Sequence, residues 1–241
     1  MAFAKRYAPP EPLPSTGADV EGPVLDAKEQ ANLGNAFELA KDVAAFANHL
    51  GGTLLIGAEE SNGRISGYKG LSGPLLQKTR DEYSRAVRDR CRPLPIFGFG
   101  LYSTEGVLAV NVEPTVNGPV GVLVRPSKPG GSEYGESWVF PLRVGADAHF
   151  LTPEVLPLYS DPRIRRLVLL LDQIKPGTRV LYRTGNDNGD LPFLDFNLEQ
   201  NLVRLRKDPP KCFPLDALDS VSPIDDSSGK PAWIFRFRPL V

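Results

Sequence analysis

The chain has 241 residues, of which 41% are hydrophobic, and a formal net charge of -1. This length predicts one sizeable core, or a main core with a smaller second one, and 24 prolines with 23 glycines predict many turns. No apolar run approaches the roughly 20 residues that a membrane-spanning helix needs, and the N-terminus lacks a signal peptide's apolar segment. We therefore expect a soluble, cytoplasmic protein with no membrane partner. The near-zero charge excludes a basic field over the whole surface, so nucleic acid would have to bind a local patch.

Residues 1–19 form an N-terminal arm in this interpretation. They contain four prolines and show no apolar periodicity, which predicts a flexible or extended conformation. The following sequence, VEGPVLDAK, predicts a short strand through Val24 and Leu25 with polar groups around it. A first domain would then extend from residue 20 to 160.

A helix is predicted over 36–50. Its apolar residues recur at steps of three and four, which places them on one face of the helix. They are Phe37, Ala40, Val43, Ala44, Ala47 and Leu50. The sequence NHLGG at 48–52 predicts the helix end, because glycine just beyond the last turn readily adopts the left-handed conformation.

A buried strand and a hairpin are predicted directly after this helix. Residues 53–56 form a continuous apolar run, and Asn62-Gly63 is typical of a two-residue hairpin turn. The paired acids Glu59 and Glu60 would therefore lie where the strand leaves the core.

A second helix is predicted over 74–92, with prolines at 93 and 95 ending it. Its basic residues Lys78, Arg85, Arg88 and Arg92 are spaced by seven, three and four positions and would share one stripe. Such a stripe can contact a phosphate backbone. The alternative is an ordinary solvated face, because acidic residues are interleaved with the basic ones.

Strands dominate the rest of the first domain. A hairpin is predicted from 96–102 and 107–112, and a second strand pair from 120–125 and 137–144. Arg143, near the end of that pair, would add to the basic surface. Thr152 followed by proline predicts a helix start with threonine as the N-cap.

Residues 161–241 are predicted to form a second domain. A short helix over 161–171 is followed by five short strands with tight turns, a pattern that favours a small closed barrel because closure removes exposed edges. The strand rhythm resembles that of Sm-like barrels, and such a barrel could serve stability or dimerisation instead of ligand binding. The predicted fold class is thus α+β, with a mixed domain followed by a small all-β barrel.

Three motifs of the first domain, taken together, resemble the Schlafen/AlbA-type domain over about residues 20–156. They are EGPVLDAK, AFANHLGGTLLIGAEESNGRISG and PLRVGADAHFLTPE. Members of that family show two acids and a lysine in the first motif, an AFANxxGGxxxIG core followed by an acid pair, and a late RxG strand. Eukaryotic Schlafen nucleases use three carboxylates as a metal-dependent ribonuclease site for tRNA and rRNA, whereas many bacterial members are described only as nucleic-acid binding.

The resemblance places Glu21 and Asp26 on the two acids, Lys28 on the lysine, and the third acid on the Glu59-Glu60 pair. The implied metal ligands are thus Glu21, Asp26, Glu59 and Glu60. Hard cations such as Mg²⁺ or Mn²⁺ prefer carboxylate oxygens, and Lys28 would neutralise a phosphate oxygen. Asp26 is a methylene shorter than the usual glutamate, and alanine replaces the usual phenylalanine at position 27. The alternative is that these acids are ordinary solvated residues.

Other kinds of catalytic site find little support. The two histidines, His49 and His149, lie near no nucleophile-elbow motif, and the absence of a GxxxxGK[ST] loop argues against ATP as a cofactor. The two cysteines are too far apart in sequence to supply a metal knuckle alone.

The leading functional prediction is a metal-dependent endoribonuclease that acts on structured RNA such as tRNA, in a toxin or antiviral defence role implied by the family. The alternatives are a non-catalytic DNA- or RNA-binding regulator and an assembly subunit of a larger complex. The sequence leaves open whether the chain forms a homo-oligomer or binds a partner protein.

Overall fold

The computed structural model describes residues 13–20, 24–115, 118–125, 136–144, 147–185, 187–197, 200–225 and 231–238. The chain divides into two compact units, Met1–Leu151 and Thr152–Val241. The first unit mixes helices and strands and the second is rich in strands, which confirms the predicted α+β class. The helix over 156–160 falls in the second unit, whereas we predicted that the second domain starts at residue 161.

The first unit contains two helices and eleven strands among its described residues. In chain order these are β1 Leu25–Lys28, α1 Ala36–Ala47, β2 Gly52–Ile56, β3 Ala58–Ser61, β4 Arg64–Tyr68, α2 Gly73–Arg90, β5 Cys91–Arg92, β6 Phe97–Tyr102, β7 Val107–Val112, β8 Gly121–Val124, β9 Ser137–Val139, β10 Pro141–Val144 and β11 Asp147–Phe150.

The main sheet of this unit has the strand order β1-β2-β7-β6. β1 runs parallel to β2, and the other neighbours are antiparallel. Because successive side chains of a strand point to opposite faces, Leu54 and Ile56 pack with α1 and α2 while Leu55 packs with the β3–β4 hairpin. The sheet is therefore covered on both faces, and β1 lies at one edge.

Helix α1 begins at Ala36, as predicted, but ends at Ala47, so Leu50 lies beyond the helix. The Asn35 side chain accepts hydrogen bonds from the backbone N–H groups of Phe37 and Glu38, at 3.2 and 3.3 Å. At the other end Gly51 has a φ of 73°, and a Cβ on Gly52 would lie 2.4 Å from the carbonyl oxygen of Val24. Only glycine fits this close approach of the start of β2 to the residue just before β1.

The β3–β4 turn is also confirmed. Asn62 and Gly63 both have positive φ, 53° and 76°, as a two-residue hairpin turn requires. Of the N-terminal arm, residues 1–12 lie outside the described residues, and 13–20 run along this hairpin. The N–H groups of Gly17 and Val20 donate to the carbonyls of Ile65 and Gly63, so this part of the arm is bonded to the hairpin.

Three predicted boundaries are wrong. Residues 137–144 form two strands instead of one, because β9 pairs with β8 whereas β10 pairs with β11. Helix α2 ends at Arg90, so Arg92 belongs to β5. Thr152 is not an N-cap of the following helix, which begins at Leu156; its carbonyl accepts from the N–H groups of Val155 and Leu156 in the preceding turn.

The second unit contains two helices and six strands in the part of the chain that the structure describes. They are α3 Leu156–Ser160, α4 Pro162–Leu171, β12 Arg179–Arg183, β13 Asn188–Asn197, β14 Leu202–Leu205, β15 Lys211–Pro214, β16 Leu218–Asp225 and β17 Pro231–Phe237. The Asp161 side chain caps α4 by accepting a hydrogen bond from the backbone N–H of Arg163. Six strands follow instead of the five predicted, because the chain forms two strands, β15 and β16, after residue 210.

The six strands form one sheet with the order β15-β14-β13-β12-β17-β16. Neighbours are antiparallel except for β12 and β17, which are parallel. Within the described residues β15 and β16 are the edge strands, and closure into a barrel stays a prediction. None of the helices that the structure describes, in either unit, is both long and apolar enough to cross a membrane.

Candidate functional site

Strand β1 carries Asp26 and Lys28 on one face. Ala27 between them packs into the cluster of Leu55 and Ala58 on the opposite side of the sheet. Strand alternation therefore turns Asp26 and Lys28 towards α1. There the ammonium of Lys28 forms an ion pair with Asp42 of α1, whose side chain is only 14% exposed.

Asp26 is paired as well. Its Oδ2 accepts a hydrogen bond from Nη1 of Arg143 at 3.3 Å, and its Oδ1 accepts from the backbone N–H of Ala27 at 3.0 Å. The Arg143 side chain is 6% exposed and its guanidinium lies 4.7 Å from the centroid of the Phe46 ring. A guanidinium buried in this way is not available to a phosphate backbone, so the structure places Arg143 with Asp26 and away from the exposed basic residues.

We call Asp26, Lys28, Asp42 and Arg143 the charge cluster. Burial raises the pKa of Asp42, and the nearby ammonium of Lys28 opposes that rise. Burial also raises the pKa of Tyr83 in α2 well above its ordinary value, and the charges of Asp42 and Asp26 add to this effect. The cluster holds two acids and two bases in mutual ion pairs, so its charges are balanced within the chain.

Asp42 lies outside the three motifs, although the sequence carries a signal for it. Asp42 lies three residues after Leu39 and four before Phe46, two fully buried residues of α1, and is therefore on the apolar face of the helix. An acid on a buried helix face needs a partner, because an unpaired buried charge is costly. The lysine of the first motif is that partner.

The other predicted acids lie on the β3–β4 hairpin. Glu60 is exposed, and its Oε1 accepts from the backbone N–H of Gly63 at 2.6 Å, which stabilises the turn. Glu59 is half-buried, and its charge contributes to the raised pKa of Lys69, whose main cause is a hydrogen bond to Glu29.

The described acids, taken alone, do not fit a metal centre. Both carboxylate oxygens of Asp26 already accept hydrogen bonds, and Glu60 is bonded to its own turn. Among the residues that the structure describes, no group of three or more acidic, histidine or cysteine side chains could hold a metal ion. Glu21 lies outside those residues, so a metal site that includes it stays a prediction.

Three of the predicted basic residues lie on α2 and are exposed. We call Lys78, Arg85 and Arg88 the α2 basic face. Arg85 and Arg88 are 59% and 70% exposed and pair with Glu82 and Asp89 at 3.1 and 3.4 Å. Ion pairs this exposed contribute little free energy, so a phosphate can compete for both guanidinium groups. Arg92 lies beyond the helix, where its Nη1 donates to the Arg88 carbonyl at 2.9 Å.

The parallel β1–β2 pair, the covering helix closed by two glycines and the hairpin that follows form a mixed α+β domain. The family model described as "Schlafen, AlbA_2" matches residues 21–147, more than half of the chain, and the chain belongs to this family. The family indicates a nucleic-acid-binding or nuclease-like function.

One similar solved structure is the crystal structure of the DIP2311 protein from Corynebacterium diphtheriae. It is 16% identical in sequence, covers 73% of this chain and 38% of its own, and superposes with a TM-score of 0.32. The present chain thus spans well under half the length of that protein. No curated protein matches the chain.

Proposed function

We propose that this chain is a nucleic-acid-binding protein whose first unit contacts the phosphate backbone of structured RNA through the α2 basic face, and that it binds without cutting. The observation that supports binding over cleavage is the charge cluster. Asp26 and Lys28 are the residues on which a cleavage site would depend, and each is bonded to another side chain of the cluster. A phosphate would have to break these pairs, whereas Arg85 and Arg88 of α2 are exposed to solvent.

The first experiment measures RNA affinity over a series of salt concentrations. Arg85→Glu with Arg88→Glu should weaken binding of a tRNA-like hairpin at least about tenfold, because two phosphate contacts are lost. The slope of log K against log salt should fall by roughly 1.8, since fewer counterions are released.

The matched control is Arg166→Glu with Lys175→Glu, which makes the same change of net charge at two exposed residues of the second unit. It should leave the salt slope close to that of the wild type. An unchanged slope in the α2 variant would show that this face does not contact phosphate. The same series with duplex DNA tests whether RNA is preferred.

The second candidate is a metal-dependent endoribonuclease that acts on structured RNA such as tRNA, in a toxin or antiviral defence role. The observation that favours it is the placement of Asp26 and Lys28 together on one face of β1, as the resemblance to Schlafen nucleases requires. A divalent ion such as Mg²⁺ or Mn²⁺ would supply the Lewis acid of that reaction.

Incubation of tRNA with the protein and Mn²⁺ or Mg²⁺, with and without chelator, separates the two candidates. We expect no metal-dependent product. If a product forms, Glu21→Ala should abolish it while RNA affinity is kept. Asp26→Ala is less informative, because it leaves the buried Arg143 without this carboxylate and should cost about 3 kcal/mol or more of stability. Cleavage that depends on metal and on Glu21 would overturn the binding-only proposal.

A further inference from the structure

The second unit has a groove on one face of its sheet. None of the residues that line this groove belongs to the α2 basic face. The groove has a volume of about 410 Å³ and is lined by residues of β12, β13 and β17. Its floor is aliphatic, with Leu181 and Ile234 side by side in register on the parallel strands. This volume lies within the range of small-ligand sites.

Two arginines stand next to each other at one end of the groove. Arg183 of β12 is the register partner of Arg236 of β17, so both side chains lie on the same face of the sheet. Neighbouring strands are about 4.8 Å apart. On the other side of β12, Asn188 of β13 is the register partner of Arg183. Three side chains that can donate N–H hydrogen bonds therefore form a row across three strands.

The two guanidinium groups have no partner among the residues that the structure describes, although both side chains are exposed. Other arginines of this unit are paired: Arg179 bonds Asp190 at 2.7 Å, and Arg204 bonds Asp195 at 2.5 Å. The Arg179 pair also balances the charge of Asp190, the acid that lines the groove. Like charges directly opposite each other on neighbouring strands repel, and a bound anion would relieve that repulsion.

We propose that Arg183 and Arg236, assisted by the amide of Asn188, bind a phosphate group of a nucleic-acid backbone. A guanidinium offers parallel N–H donors that match two oxygens of one phosphate, so two neighbouring arginines can hold one phosphate or two successive ones. The second unit then makes its own contact with a strand of RNA. This inference rests on the proposed nucleic-acid-binding function and adds a second phosphate contact to it.

The test uses the full chain and a fluorescein-labelled single-stranded RNA, with binding followed by anisotropy at several salt concentrations. Arg183→Glu with Arg236→Glu should weaken binding at least about tenfold and lower the salt slope by roughly 1.4, the contribution of two phosphates on a single strand. Arg183→Lys with Arg236→Lys keeps the charge but loses the paired donors, and should give a smaller loss of affinity. Arg166→Glu with Lys175→Glu is again the charge-matched control, and circular dichroism establishes that each variant is folded.

The outcomes distinguish this inference from the proposed function. If the α2 variant lowers the salt slope and the Arg183/Arg236 variant does not, the groove contact is overturned and the α2 contact stands. If the wild type binds neither RNA nor DNA, both are overturned.

A titration with adenosine monophosphate distinguishes the source of the phosphate. If the wild type binds adenosine monophosphate and the Arg183/Arg236 variant does not, while both bind RNA with the same affinity, the groove binds a free nucleotide. That result would overturn the backbone contact. Loss of RNA affinity in that variant supports the backbone contact.

Discussion

Several buried side chains hold protons that solvent cannot reach. Burial raises the pKa of the Cys91 thiol to about 12, and it raises the pKa of the Tyr83 hydroxyl well above its ordinary value. The pKa of Tyr159 in the second unit is raised for the same reason. All three groups therefore stay neutral in the folded protein under conditions in which they ionise in the unfolded chain.

This difference predicts a loss of stability in alkali. Above pH 9 the unfolded chain releases protons that the folded chain keeps, so the free energy of unfolding should fall as the pH rises towards 12. Urea unfolding at pH 7.5, 9 and 10.5 measures the fall. Tyr83→Phe removes one of the groups and should make the decline shallower.

The control for this prediction is Val87→Ala, which removes packing in the same cluster but no titrating group. It should lower stability by a similar amount at every pH. A Tyr83→Phe variant whose stability declines as steeply as that of the wild type would contradict the prediction.

At the scale of single residues, the sequence identified one half of the charge cluster. Asp26 and Lys28 could be placed because they lie in a motif and on a strand whose alternation is easy to follow. Arg143 could not be placed in this way, because its contacts with Phe46 and Asp26 depend on tertiary packing between residues far apart in the chain. The local sequence around Asp26 does not show which residue, far away in the chain, will form an ion pair with it.

Helix α1 has an asparagine at each end, and the two have different surroundings. Asn35 is exposed and caps the first turn. Asn48 is 2% exposed; its Nδ2 donates to the carbonyls of Val120 and Pro141 at 2.9 and 2.7 Å, and its Oδ1 accepts from the N–H of Val120 at 2.6 Å. The end of α1 is thus bonded to the chain just before β8 and to the first residue of β10.

We expect Asn48→Ala to lower the free energy of unfolding by roughly 3 kcal/mol, because it leaves buried backbone groups at Val120 and Pro141 without these bonds. Asn35→Ala should cost only about 1 kcal/mol, the usual loss of an exposed helix cap. Chemical denaturation of both variants under the same conditions provides the comparison. Equal losses would show that the interior bonds of Asn48 contribute no more than a cap.

At the scale of elements, local signals were sufficient where the chain itself determines the geometry. The glycine stop after α1 and the Asn62-Gly63 turn depend on backbone conformations that few residues adopt, so their sequences indicate them directly. The strand pattern at 137–144 does not show that β9 pairs with β8 while β10 pairs with β11. Which strand pairs with which depends on contacts between distant parts of the chain, and the alternation of apolar and polar residues within one segment carries no information about it.

At the scale of the whole molecule, the near-zero net charge conceals two local basic surfaces. One is the α2 basic face in the first unit, and the other is the pair Arg183 and Arg236 in the second. The sequence indicated the first because helical spacing aligns its members. The second could not be found in that way, since its two arginines are far apart in the chain and become neighbours only through strand pairing.

The parallel pairing of β12 with β17 has a consequence for how the protein is made. It joins the first strand of the second unit to its last, so Val180 finds its neighbour Trp233 only after almost all of that unit has left the ribosome. Pairings between residues far apart in the chain form slowly, because loop-closure entropy must be overcome before their contacts are gained. The main sheet of the first unit is complete by Val112, which allows it to form during synthesis. While the ribosome is still adding residues, β12 has an open edge where β17 will later lie, and an open edge of this kind can pair with a strand of another chain.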